Sequence, residues 1–174
     1  MAEKEFLAKS YTEETIQEHT DKVLQEYERL KKFYKNCNVN WTLLEQACLY
    51  HDLGKMNSKF QRKIRNAEKV EDEVPHGILS TLFLDAKRLK EDFQGADDFK
   101  SFDDLDDAMY LLFSAIFYHH DRESFEKSDF TDNLEKNINR EKDSLQYIVK
   151  NFKYDKVRIP EKLHFRDKYI SRFS

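Results

Sequence analysis

Apolar residues recur along this chain at the three- and four-residue spacing of amphipathic helices, and no long stretch alternates as a β-strand would. The spacing predicts six or seven helices. Their predicted ranges are about 12–34, 41–53, 58–66, 75–92, 103 or 104 to 119, 133–152, and 160 to the chain end. We therefore predict an all-α fold, a compact helical bundle formed as one domain over residues 1–174.

Composition favours the same fold. The 174 residues include three Gly and two Pro, which leaves few helix breaks, and 14 Phe and 9 Tyr that can fill a core. Cys37 and Cys48 follow no ligand or disulfide spacing, so we expect free thiols in a reducing compartment. The first ten residues lack the apolar core of a signal peptide, and no apolar run is long enough to cross a membrane. We expect a soluble, cytoplasmic protein without a membrane partner.

Charge is unevenly distributed along the chain. The net charge of −4 argues against a protein that is wrapped in nucleic acid. Residues 55–69 nevertheless carry six basic side chains and one acid, whereas residues 97–107 carry six acids and one Lys. Such runs usually form solvated faces. The basic run is of interest because it begins just after the adjacent pair His51 and Asp52.

Several metal-ligating side chains fall on the predicted core-facing sides of helices. These side chains are His19, His51, His76, His119 and Asp167. Burying imidazoles and carboxylates together is unfavourable unless they pair with each other or bind a metal ion. Both groups are good ligands for divalent transition metals. The pattern therefore predicts a metal centre, in which Asp52 could bridge two ions about 3.5–4 Å apart.

Five short segments resemble a known family. They are EHT at 18–20, HDLGKMNSKFQ at 51–61, PHGILS at 75–80, FYHHD at 117–121 and DKYISR at 167–172. Their order, H…HD…H…HH…D, resembles the HD superfamily of metal-dependent phosphohydrolases. HD-L-G-K followed by F-Q, together with D-x-x-x-S-R, is more specifically similar to the HD nuclease domain of the CRISPR-associated helicase–nuclease of type I systems. The resemblance covers nearly the whole chain.

The resemblance implies a helical HD domain around two divalent ions. By position, the ligands of one ion would be His19, His51, Asp52 and Asp167. The ligands of the other would be His76, His119 and His120, with Asp52 bridging. Lys55 matches the family's lysine, so Lys55 and Asp52 are the candidate catalytic residues, Lys55 steadying a phosphate or the attacking water. Three further residues match positions that support the ligands or pack beside them: Ser80, Ser171 and Arg172.

The resemblance also implies a function. It is a metal-dependent nuclease that hydrolyses phosphodiester bonds of single-stranded DNA during CRISPR interference in a prokaryotic cytoplasm. A His-rich ligand set suits Mn²⁺, Co²⁺, Ni²⁺ or Fe²⁺ better than Mg²⁺. The implied partners are single-stranded DNA, a helicase subunit or domain, and an RNA-guided CRISPR surveillance complex. The chain carries no helicase motif, so we expect either a separate nuclease subunit or a domain of a longer protein.

The basic run supplies candidate contacts to the DNA strand. Lys59, Arg62 and Lys63 would follow its phosphates, and Phe60 would stack on a base. The alternative is a solvated helix face.

Two other functions remain open. One is an HD phosphohydrolase that acts on nucleotides or cyclic dinucleotides. The cyclic-dinucleotide enzymes of this superfamily carry a Gly-Tyr-Pro signature after the His pair, whereas this chain reads HHDRESFEKS. The other is a helical binding module with a structural His cluster. If Asp167 is not a ligand, Asp155 or Asp143 is the alternative acid.

Overall fold

The computed structural model describes residues 5–67, 69–94, 96, 99, 105–120, 132–166 and 169. Within them the chain forms seven α-helices and no strand, apart from an isolated bridge between Leu7 and Thr15. The helices are α1 Ile16–Phe33, α2 Trp41–Tyr50, α3 Ser58–Asn66, α4 His76–Ser80, α5 Ala86–Phe93, α6 Leu105–Phe117 and α7 Asp132–Ile148. Short 3₁₀ turns lie at Leu53–Met56, Thr81–Phe83 and Val149–Asn151. The all-α prediction is confirmed.

Polar side chains fix the helix starts. Thr15 and Glu18 form a capping box at α1, in which the Thr15 hydroxyl accepts from the Glu18 N–H and the Glu18 carboxylate accepts from the Thr15 N–H. Helix α1 therefore begins at Ile16, four residues later than its spacing predicted. Asn40 caps α2, and Asn57 caps α3, each through a side-chain oxygen that accepts from backbone N–H groups.

The core lies between α4, α6 and the turn Leu53–Met56. Helix α4 contacts both the turn and α6, while α2 contacts α1 and α6. The most deeply buried apolar side chains include Ile16, Leu53, Met56, Ile78, Leu82, Phe83, Met109, Phe113 and Ile116. This packing brings the ends of α2 and α6 beside the start of α4. None of the described helices combines the length and apolar character that a membrane crossing needs.

The predicted helix over 75–92 is wrong, because the chain forms two helices there. Helix α4 ends at Ser80, a 3₁₀ turn follows, and Leu84 is extended at φ −82° and ψ 115°. Asp85 then caps α5 by accepting from the Arg88 N–H. Periodicity missed the break because the residues around it are buried on every side, so no polar face marks where one helix stops.

The predicted helix from 160 to the chain end is also wrong over its described residues 160–166, which form no helix. The side chain of Gln146 in α7 satisfies this segment's backbone instead. Its Oε1 accepts from the Leu163 N–H at 2.6 Å, and its Nε2 donates to the Glu161 carbonyl at 3.0 Å. The buried Leu163 anchors the segment against the core.

The predicted end of the second helix needs a smaller correction. Helix α2 ends at Tyr50, and Gly54 lies inside the 3₁₀ turn rather than capping a helix. A Cβ on Gly54 would lie 2.1 Å from the His76 carbonyl oxygen. The glycine is therefore needed for close packing against α4, not for a left-handed backbone.

Candidate metal centre

The carboxylate of Asp52 is the centre of the candidate site. It is 1% exposed and follows the end of α2. Its Oδ2 lies 3.2 Å from His19 Nε2 and 3.4 Å from His51 Nε2. Its Oδ1 lies 3.3 Å from His76 Nε2 and 3.6 Å from His119 Nε2. Each carboxylate oxygen therefore faces a different pair of imidazoles.

These side chains form two groups whose potential ligand atoms lie within 4.8 Å of one another. One group is His19, His51 and Asp52, and the other is Asp52, His76, His119 and His120. Apart from Asp167, which lies outside the described residues, the two groups contain the residues that the resemblance implied for the two ions. His120 is the exposed member, and its ring centroid lies 4.8 Å from that of His76 and 4.1 Å from that of His119.

Helix ends bring the groups together. His19 lies in the first turns of α1, His51 and Asp52 follow α2, His76 opens α4, and the adjacent histidines follow α6. Gly77 allows α4 to approach α6, since a Cβ there would lie 2.7 Å from the Phe117 carbonyl oxygen and 3.2 Å from His119 Nδ1. The Ser80 hydroxyl donates to the His51 carbonyl at 2.6 Å and accepts from the Gly54 N–H at 2.8 Å, which ties α4 to the end of α2.

Hydrogen bonds fix which imidazole nitrogen faces Asp52. His51 Nδ1 lies 2.9 Å from the Cys48 carbonyl oxygen, and His119 Nδ1 lies 2.6 Å from that of Ile116. A carbonyl can only accept, so both Nδ1 atoms carry the hydrogen. In the neutral rings each Nε2 then directs its lone pair toward Asp52, which is the orientation that metal ligation requires.

The protonation states also suit metal binding. Burial lowers the pKa of His51 and of His76, and burial together with its neighbouring imidazoles lowers the pKa of His120 to about 4. These rings are neutral at pH 7. Burial by itself raises the pKa of Asp52, but the polar groups packed around it, among them the Lys55 ammonium at 2.8 Å from Oδ2, outweigh burial and hold this pKa well below its usual range. Neutral imidazole and ionised carboxylate are the ligand forms.

Three atoms of the centre support the fit to a metal ion. Asp52 Oδ1, His76 Nε2 and His119 Nε2 are buried and have no hydrogen-bond partner among the described residues. Buried polar atoms without partners are unfavourable. A divalent ion between them would satisfy all three, because nitrogen and oxygen donors of this kind suit transition metals.

Lys55 is buried beside the centre. Its Nζ lies 2.8 Å from Asp52 Oδ2 and 5.7 Å from the ring centroid of Phe60. The Lys55 ammonium therefore lies on the Oδ2 side of Asp52, as His19 and His51 do. It is close enough to contact a group bound on that side.

The residues predicted to bind the DNA strand differ in their exposure and in the contacts that their side chains already make within the protein. Lys59 is engaged, since its Nζ donates to the Asp72 carbonyl and lies 3.1 Å from Glu141 Oε1. Lys63 pairs with Glu73 at 2.7 Å and remains partly exposed. Arg62 is exposed. The ring of Phe60 packs edge-on against His76, with 5.4 Å between centroids.

The remaining predictions concern three residues outside the described part of the chain and two alternative acids. Asp167, Ser171 and Arg172 lie outside the described residues. The alternative acids Asp155 and Asp143 are exposed and belong to neither His–Asp group.

Two buried carboxylates were missed from the sequence, one in contact with a ligand of the centre and one in contact with the start of α3. Glu14 Oε1 lies 2.8 Å from His19 Nδ1, and Glu141 Oε2 accepts from Asn57 Nδ2 at 2.5 Å. Burial by itself raises the pKa of Glu14, but hydrogen bonds from Lys22 and His19 lower it to about 2. Neither acid stands in a motif. Glu14 is one of two adjacent glutamates before α1, and Glu141 lies in a helix rich in charge.

A comparison with models of protein families gives a match. A family model described as "Cas3, HD domain" matches residues 8–169. No curated protein and no solved structure gives a significant match. The matched range includes every residue of both His–Asp groups. The chain therefore belongs to the family of Cas3 HD domains, the HD-type metal-dependent nucleases of type I CRISPR systems.

Proposed function

We propose that this chain binds two divalent transition-metal ions around Asp52 and hydrolyses the phosphodiester bonds of single-stranded DNA. The first ion would be held by His19, His51, Asp52 and Asp167. The second ion would be held by His76, His119 and His120, with Asp52 shared between both. The observation that carries this proposal is the placement of the two Asp52 oxygens, each of which faces its own pair of imidazoles.

The protein's own contribution to the reaction is positioning and charge. Bound ions would lower the pKa of a coordinated water from about 15.7 toward 7 and offset the charge that grows on the phosphate. The chain holds neutral imidazoles with Nε2 directed inward and keeps Asp52 ionised. The Lys55 ammonium, 2.8 Å from Asp52 Oδ2, would orient a non-bridging phosphate oxygen on that side. No side-chain nucleophile is required.

The ligand set favours Mn²⁺, Co²⁺, Ni²⁺ or Fe²⁺. Five of the seven proposed ligands are imidazoles, whereas Mg²⁺ prefers oxygen ligands and retains much of its water. We therefore expect weak support of activity by Mg²⁺ alone.

The strand would approach along α3. Phe60 lies against His76 and would stack on a base next to the ligands, while Arg62 and Lys63 would contact phosphates further along. A helicase would deliver the strand, and an RNA-guided CRISPR surveillance complex would recruit that helicase to its target.

A comparison of substrates tests the proposal. Purified protein with Mn²⁺ is incubated with circular single-stranded DNA, duplex DNA, single-stranded RNA, nucleoside triphosphates and cyclic dinucleotides, with and without a chelator. We expect chelator-sensitive cleavage of the circular single strand. Turnover of nucleotides without strand cleavage would instead identify the chain as a nucleotide phosphohydrolase.

A pair of Asp→Asn variants provides the matched control. Asp52→Asn should reduce the cleavage rate at least 100-fold and lower the bound Mn²⁺ measured by elemental analysis, because both ions share this carboxylate. Asp143→Asn changes the same atoms at an exposed position and should behave as wild type. Full activity of folded Asp52→Asn protein would contradict the proposed centre.

A further inference from the structure

Glu14 is a buried carboxylate that lies next to the centre. It is 6% exposed, although it belongs to the segment that precedes α1. Its Oε1 lies 2.8 Å from His19 Nδ1, and its Oε2 accepts from Lys22 Nζ at 3.0 Å. Lys9 Nζ lies 3.6 Å from Oε1. Two lysines therefore offset its charge while one oxygen is directed at the imidazole.

The backbone holds Glu14 in place. Its carbonyl accepts from the Ala8 N–H at 2.7 Å and from the Lys9 N–H at 3.3 Å. The preceding Glu13 adopts a left-handed backbone, with φ at 50°. These contacts fix the backbone of Glu14 without any contribution from the His19 side chain.

The contact determines how His19 faces Asp52. An ionised carboxylate can only accept, so His19 Nδ1 donates to Glu14, and the opposite Nε2 lies 3.2 Å from Asp52 Oδ2. His51 and His119 have the same arrangement, but their Nδ1 atoms donate to backbone carbonyls. Among the described residues, Glu14 is the one carboxylate in this role. A carboxylate makes the ligating nitrogen a stronger donor than a carbonyl does.

We propose that Glu14 is a positioning residue that orients and strengthens His19 as a ligand of the first ion, so that the two ions differ in their dependence on it. The inference rests on the proposed function, because it assigns His19 to an ion. It predicts that loss of Glu14 weakens the first ion while the group of His76, His119 and His120 retains the second.

Mn²⁺ titration of three variants tests the inference. In calorimetry, Glu14→Ala should weaken one of two Mn²⁺ sites by about 10–100-fold and leave the other unchanged. Glu14→Gln keeps an acceptor oxygen without the charge and should lie between Ala and wild type. Lys22→Met removes the partner of the other Glu14 oxygen but leaves the His19 contact, so it should bind Mn²⁺ as wild type.

A second readout does not depend on metal. In chelator-treated protein, ¹⁵N chemical shifts of His19 should report hydrogen on Nδ1 in wild type and in Lys22→Met, and loss of that preference in Glu14→Ala. Unchanged Mn²⁺ affinity and an unchanged His19 tautomer in Glu14→Ala would overturn the inference. So would an equal loss of affinity in Lys22→Met, which would point to the ion-pair network instead.

The two hypotheses fail in different ways. A wild-type protein that binds no Mn²⁺ would overturn the proposed function. The tautomer measurement would still show in that case whether Glu14 orients His19, and an unchanged tautomer would overturn its positioning role as well.

Discussion

Gly54 lies two residues after Asp52, where the chain packs closely against α4. An added Cβ would lie 2.1 Å from the His76 carbonyl oxygen and 2.7 Å from the Ser80 backbone nitrogen. Both are backbone atoms, so they cannot move away by a change of rotamer. The spacing between Asp52 and His76 therefore depends on the absence of a side chain at this one position.

We expect Gly54→Ala to destabilise the protein by about 1–3 kcal/mol, because the added methyl overpacks the contact with α4. Gly77→Ala should destabilise the protein less, since the added Cβ would lie 2.7 Å from its nearest backbone atom, compared with 2.1 Å at Gly54. Urea unfolding in the presence of a chelator measures both. A Gly54→Ala protein as stable as wild type would show that α4 can shift without loss of stability.

His51 shows what the sequence could predict at this scale. Helical spacing places His51 on the same face as Leu44 and Cys48, yet Leu44 is 36% exposed. His51 reaches Asp52 because the α-helix ends at Tyr50 and the ring is held by the Cys48 carbonyl. The order of the motifs named residues that the fold brings together, whereas helical periodicity gave only an approximate reason for their direction. The contact of Glu14 depends on loop geometry that no spacing reveals.

At the scale of elements, α3 is less free to bind nucleic acid than its charge suggests. Residues 55–69 contain six basic side chains. Lys55 pairs with Asp52, Lys59 with Glu141 and Lys63 with Glu73. Part of the apparent basic surface is thus neutralised inside the fold, which composition alone could not predict.

We expect the double variant Arg62→Glu and Lys63→Glu to weaken binding of single-stranded DNA and to reduce the slope of log affinity against log salt by about 1.4. The matched control is Lys32→Glu with Lys35→Glu, at the opposite end of α1 from His19. Fluorescence anisotropy over a range of salt concentrations measures both. Equal losses in the two variants would indicate general charge repulsion rather than a strand path on α3.

Helix α7 secures the start of α3 through Glu141. We expect Glu141→Ala to destabilise the fold by about 1–3 kcal/mol, because it leaves the buried Asn57 amide without its acceptor. Glu135→Ala, at an exposed position on the same helix, should change stability by less than about 0.5 kcal/mol. Chemical denaturation distinguishes the two, and equal effects would argue against this anchoring role.

At the scale of the whole molecule, the centre joins distant parts of the chain. Its described members run from His19 to His120, on four separate stretches that meet only in the folded protein. The sequence predicted the helical class and most helices, because amphipathic spacing is a local property. The prediction failed at the break after Ser80 and over residues 160–166, because contacts with other helices determine the backbone conformation there.

We therefore expect Mn²⁺ to raise the melting temperature. At a free Mn²⁺ concentration of 100 times the dissociation constants, each of the two sites would add about 2.7 kcal/mol to the free energy of unfolding. Together they would raise the melting temperature by about 10–20 °C in a domain of this size. Differential scanning fluorimetry with Mn²⁺, with Mg²⁺ and with a chelator measures the effect. An unchanged melting temperature with Mn²⁺ would contradict binding to the folded state.

The Nδ1 atoms of His51 and His119 donate to backbone carbonyls in the last turns of α2 and α6. Carbonyls at the end of a helix lack partners within it, so each imidazole also acts as a C-terminal cap. Replacement of either histidine by alanine would therefore remove a ligand and loosen a helix end together. Asparagine at these positions could retain a donor to the carbonyl, so a comparison of alanine with asparagine would separate the capping contribution to folding from the contribution to metal binding.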